Sequence, residues 1–121
     1  MQLNVTVTIK EKGIFVVSPI GPVDSDNYLI LEEKVASVLS SQTRALIFDM
    51  KGVDYISSSG LGVIFGARKA LEKNQGKLYI VNLTPSVKKV FDIVKALPHQ
   101  NLFASVEELD AYLDKMQRDV T

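Results

Sequence analysis

Apolar residues in this chain switch repeatedly between a period of two and a period near 3.6, and that switching limits the folds open to it. Leu3, Val5, Val7 and Ile9 alternate with polar residues, the mark of a half-buried strand. Lys12-Gly13 interrupts the run. Ile14-Phe15-Val16-Val17 then reads as a second strand, antiparallel to the first through a short hairpin. Pro19, Gly21 and Pro22 form an irregular loop, and Asp24 or Ser25 can cap the helix that follows. Tyr28, Leu31, Val35, Val38 and Leu39 fall on one face of that helix. After the polar turn Ser40-Ser41-Gln42-Thr43, the nearly continuous apolar run Arg44 to Asp49 suits a central strand covered on both faces. A helix is expected from about Gly60 to Lys73, with Leu61, Ile64, Phe65, Arg68 and Leu71 along one side. Gly76 ends that region, and Lys77 to Val81 reads as a strand. Pro85 suits a helix start, because its missing N–H has no partner there in any case. Val87, Val90, Phe91 and Val94 give that helix its apolar face. Leu102-Phe103 reads as a last short strand. Ser105 with Glu108 forms a capping-box signature for a final helix carrying Val106, Leu109, Leu113, Met116 and Val120.

The order β-β-α-β-α-β-α-β-α predicts an α/β fold: a mixed sheet, mostly parallel with right-handed crossovers, an antiparallel N-terminal edge and about four helices. At 121 residues the chain is read as a single domain over 1–121, without repeat or linker. Its net charge of zero gives no electrostatic footprint for nucleic acid. There is no cysteine, and so no disulfide framework, zinc thiolate or thiol nucleophile. No signal peptide and no run of about 18 apolar residues is present, so a cytoplasmic protein that does not span a membrane is expected.

The chemically suggestive segment is Val53-Asp54-Tyr55-Ile56-Ser57-Ser58-Ser59-Gly60-Leu61-Gly62-Val63-Ile64. Serine is a favoured N-cap because its hydroxyl accepts from an orphan N–H of the first turn. One serine suffices for that. Three in a row, followed by Gly-Leu-Gly, make a small, polar, open helix start, and the first turn also stabilises anions. The segment therefore fits both a serine-rich capped turn and a serine that carries a phosphate with little strain. Gly62 and Gly66 lie on one helical face. Each glycine costs roughly 1 kcal/mol relative to alanine. That cost is explained equally by tight packing on the sheet or by close approach of a partner.

Signs of catalysis are absent. The chain has no phosphate loop ending in Lys-Ser/Thr, and Gly60-Leu61-Gly62 lacks the third glycine of a dinucleotide fingerprint. The single histidine, His99, follows Pro98 in a polar turn, and nothing pairs it with Ser59 as a base. Ser59-Gly60 is not a Gly-x-Ser-x-Gly elbow. Asp24, Asp49 and Asp54 fall at strand ends or in loops, where capping and turn solvation explain them better than a divalent metal cluster does. No enzyme, cofactor or metal site is expected.

Asp54 to Lys69, with Ser58-Ser59-Gly60-Leu61-Gly62-Val63-Ile64 at its centre, resembles the signature of the STAS domain, specifically the bacterial anti-sigma factor antagonists. Gly21-Pro22-Val23-Asp24 is similar to the family's Gly-x-hydrophobic-Asp loop, and Leu83 to Asp92 to its helix after the fourth strand. The resemblance covers almost the whole chain, in order.

The resemblance implies a binding module that engages an anti-sigma factor that is also a serine kinase, and so releases a sigma factor. Phosphorylation at the start of the second long helix breaks the complex, and a metal-dependent serine phosphatase restores it. The matching acceptor is Ser59, with Ser58 as fallback, and the matching loop aspartate is Asp24. Asp24, Ser57, Ser58, Ser59, Leu61 and Gly62 are the expected partner-binding residues. Ser57 stands where the family commonly has an acidic residue, and Pro22 where one is frequent, so both departures remove negative charge beside the switch. The alternative is a STAS scaffold, a ligand-sensing or lipid-transport subunit not controlled by phosphorylation.

Overall fold

The computed structural model describes residues 2–96 and 106–118. Strands β1 (Asn4–Glu11) and β2 (Ile14–Ile20) form the antiparallel hairpin. Helix α1 (Tyr28–Val38) leads to β3 (Ala45–Asp49), α2 (Ser58–Glu72) to β4 (Lys77–Val81), and helices α3 (Pro85–Ala96) and α4 (Val106–Arg118) follow. The sheet order is β1-β2-β3-β4, with β2, β3 and β4 mutually parallel. This is the mixed α/β sheet that the period switching predicts. Leu102-Phe103, His99, Ser105 and Val120 lie outside the described residues.

The register explains where the core sits. Val7, Val17, Phe48 and Ile80 form one row across the sheet, and Phe15, Leu46 and Leu78 the next, all on the same face. Leu31 and Val35 of α1, Ile64, Ala67 and Leu71 of α2, Val87 and Val90 of α3 and Leu113 of α4 join the same cluster. The opposite face differs from expectation. Val16, Ile47 and Tyr79 share a row there, and Ile47 is only half-buried while Tyr79 is 53% exposed. The apolar run of β3 is therefore covered on one face, not two, and β-branched and aromatic residues hold the more open face by strand propensity.

Helix α1 also begins later than Asp24 or Ser25 would place it. The Asp24 carboxylate accepts from the N–H groups of Asp26 (2.9 Å) and Asn27 (3.0 Å), which closes a side-chain turn over Ser25-Asp26 and delays the helix to Tyr28. Helix α2 departs the other way. It begins at Ser58, two residues before Gly60, because Ser57 is its N-cap.

Candidate functional site

Past the end of β3 the backbone does not turn directly into α2. It first runs alongside the segment that follows β2. Gly21 N–H donates to Gly52 O (2.9 Å), Val23 N–H to Tyr55 O (3.0 Å), and Ser57 N–H to Val23 O (2.8 Å). These bonds make two isolated parallel bridges, Ile20 to Gly52 and Val23 to Ile56. Gly21 is required here: its φ of +114° is left-handed, and a Cβ would lie 2.6 Å from the Gln2 carbonyl oxygen. The Pro22–Asp24 stretch is held further by Asn27, whose amide accepts from Asp24 N–H (2.9 Å) and donates to Pro22 O (2.8 Å).

The three serines divide the work at the helix start. Ser57 is 4% exposed, and its hydroxyl accepts from Gly60 N–H at 3.2 Å. Its carbonyl accepts from Leu61 N–H at 2.9 Å. Its hydroxyl is thus committed to the cap, within the fold. Ser58 and Ser59 sit in the first turn, partly exposed. Leu61, at 4% exposure, belongs to the core, and its side chain holds α2 down.

The glycines separate in the same way. A Cβ on Gly60 would lie 2.7 Å from Val23 Cγ1 and 2.8 Å from Ile56 Cγ1, so the helix start is pressed onto the Val23 loop. That contact brings the Asp24 loop and the serine loop together. Gly62 and Gly66 are exposed and have nothing within 4 Å of a Cβ position, which overturns tight packing on the sheet as their explanation. Ser59, Gly62 and Gly66 thus mark one bare, accessible stripe of α2. Beside it Phe65 is partly exposed and meets Phe91 edge to face, with ring centroids 6.2 Å apart. Arg68, grouped with the apolar positions from spacing, points to water and pairs with Glu72 at 3.1 Å.

The carboxylates are occupied separately. Asp24 closes its turn. Asp49, at the end of β3, accepts from Asn82 Nδ2 (3.1 Å) and Lys51 N–H (3.2 Å), with the Lys51 ammonium 3.4 Å away. Burial pushes the Asp49 carboxyl up, but the bonds from Asn82 and Lys51 outweigh it and hold the group below its ordinary value. Among the described residues no group of three or more His, Cys, Asp or Glu is placed to hold a metal, and no helix is long and apolar enough to cross a membrane.

Three supports of the serine loop were not read from sequence. Thr84 Oγ1 donates to Val53 O and Ser86 Oγ to Asp54 O, both at 2.7 Å. Gln117, 5% exposed, bonds both backbone groups of Ile56. The first two read as ordinary residues of a helix start. Gln117 had a detectable signal: it is polar yet falls four residues after Leu113, on the buried stripe of α4.

The STAS domain family model matches residues 6–109, and the chain belongs to this family. An anti-sigma-B factor antagonist of Staphylococcus aureus (strain NCTC 8325 / PS 47) is 32% identical over 109 residues, 88% of this chain and 100% of the relative. Two solved structures share the fold. The anti-sigma factor antagonist SpoIIAA in its unphosphorylated form has a TM-score of 0.64 at 19% identity, over 97% of this chain and 100% of that one. The Bacillus cell fate determinant SpoIIAA in the phosphorylated form has a TM-score of 0.64 at 20% identity, over 75% of this chain and 83% of that one.

Proposed function

We propose that this chain is an anti-sigma factor antagonist acting in the cytoplasm. It binds an anti-sigma factor with serine kinase activity, and phosphorylation of Ser59 switches it off. A metal-dependent serine phosphatase resets it, and the chain itself catalyses nothing. The observation that carries this reading is the division among the serines: Ser57 is consumed as a buried cap, while Ser59 shares an accessible stripe with Gly62 and Gly66. The name of the staphylococcal relative and the two phosphorylation states of SpoIIAA support it. Asp24, Ser58, Ser59 and Gly62 form the contact surface in this reading, with Leu61 and Ser57 shaping it from beneath.

The physics fits a switch that leaves the fold alone. A phosphate adds about −1.5 to −2 charge at neutral pH, which a helix N-terminus tolerates. Pressed into an interface, the same charge must be desolvated, and affinity falls. Mass spectrometry of chain treated with the cognate kinase and ATP tests this. Phosphate on Ser59, a Ser59→Ala chain that keeps binding but resists inactivation, and a weaker-binding Ser59→Asp chain are expected. Phosphate on Ser57 or Ser58 alone, or none with a verified cognate kinase, overturns the assignment.

A further inference from the structure

The clamp on Ile56 has a geometry that a packing residue does not need. In the parallel bridge Val23–Ile56, Val23 bonds to the flanking residues, Tyr55 O and Ser57 N–H. The N–H and C=O of Ile56 therefore face away from Val23. Both are taken by one side chain: Ile56 N–H donates to Gln117 Oε1 (2.6 Å), and Gln117 Nε2 donates to Ile56 O (2.8 Å). The second Nε2 hydrogen goes to Leu113 O, at 3.2 Å. The amide of Gln117 thus imitates a neighbouring strand. It completes a ladder around Tyr55-Ile56-Ser57, from the last described helix, across 61 residues of chain.

We propose that Gln117 is a positioning residue for the switch. It holds the Tyr55–Ser57 segment against Val23, fixes the Ser57 cap, and so presents Ser59 and Gly62 to the partner in one geometry. This rests on the function proposed above. A buried amide without partners is costly, and so are the orphaned Ile56 groups its removal leaves. An ordered loop also loses less entropy on binding.

The test is Gln117→Met, which roughly keeps the side-chain length and removes all three bonds, with Gln117→Glu as a second variant of the parent's shape that loses both donated bonds. The ionised carboxylate of the second variant accepts from Ile56 N–H but donates nothing to Ile56 O. Amide hydrogen exchange is read at Val23 and Ser57, whose N–H groups bond to Tyr55 O and Val23 O and not to Gln117, and at Val17 and Phe48 in the sheet. In Gln117→Met, exchange at Val23 and Ser57 is expected to rise on the order of ten-fold with the sheet unchanged. In Gln117→Glu the buried carboxylate also faces the carbonyl oxygens of Ile56 and Leu113, so exchange at Val23 and Ser57 is expected to rise at least as much. As substrate for the cognate kinase, Gln117→Met should show KM raised about ten-fold with kcat nearly unchanged, since about 1.4 kcal/mol of lost docking is tenfold. Unchanged exchange at Val23 and Ser57, an equal rise in the sheet, or an unchanged KM overturns the proposal. A parent chain that no cognate kinase binds refutes the proposed function instead, and the exchange data then judge the clamp by themselves.

Discussion

Gly60 and Gly62 are two residues apart in the same turn of α2, and their surroundings are opposite. Gly60 is wedged between Val23 and Ile56, whereas Gly62 faces open space. The inward side of α2 carries Leu61, Ile64, Ala67 and Leu71 into the core, while the outward side carries Ser59, Gly62 and Gly66. The absence of a side chain serves assembly of the fold at one glycine. At the other it only forgoes helix stability. A residue type that looks uniform in the sequence therefore answers to two different requirements, and only the second points outside the molecule.

The same substitution at both positions gives the sharpest break in this comparison. Gly60→Ala should destabilise the protein by about 1–3 kcal/mol through overpacking against two buried side chains, less whatever helix propensity returns. Urea unfolding measures it, and an unchanged midpoint would remove the close contact from the account. Ser57→Ala follows at about 1 kcal/mol, because Gly60 N–H loses its acceptor. If Ser58 took over the cap, the loss would vanish and the distinction between the serines with it. Gly62→Ala has the opposite sign: a gain of roughly 0.5–1 kcal/mol, with weaker binding to the anti-sigma partner. A loss of stability would mean that this face packs after all.

The smallest effect lies away from α2 and serves as the reference. The Asp49 carboxyl is held below its ordinary value, so its charged form stabilises the folded state above the unfolded pKa, and that contribution disappears as pH falls through the lower folded value. Asp49→Asn keeps an acceptor but removes the charge. Its stability deficit should be present at neutral pH and shrink toward acid, while the Gly60→Ala deficit stays constant. Urea titrations at about pH 7 and about pH 3 separate the two.

Much of this was legible because hydrophobic period reports on local geometry. Val5 and Val7, Val17, Phe48 and Ile80 lie on the core face, as alternation and strand order require. Pro85 begins α3 as its fixed φ favours. What period cannot report is which neighbour arrives from elsewhere. The run of β3 looked doubly covered because Ile47, on the half-open face, is as apolar as Leu46 and Phe48 on the buried one. The helix start shifted because three consecutive serines are equivalent caps until Val23 and Ile56 crowd Gly60. Asp24 looked like an N-cap, but the reciprocal bonds with Asn27 make it close a turn instead. Leu61, next to the serines in the chain, belongs to the core because helical rotation carries it inward.

The parallel bridges and the Gln117 clamp bear on when the site comes into being. Its parts come from residues 21–24, 52–57, 84–86 and 117, far apart along the chain. Contacts of such long separation close late, after the entropy of the intervening loops has been lost. Synthesis proceeds from the N-terminus, so the sheet can assemble before the serine loop is fully braced. A growing chain with β1 to β4 already made still lacks Gln117, and with it the last two bonds on Ile56. The braced serine loop therefore exists only once Gln117 has been made and docked, and any shorter chain lacks its last two bonds.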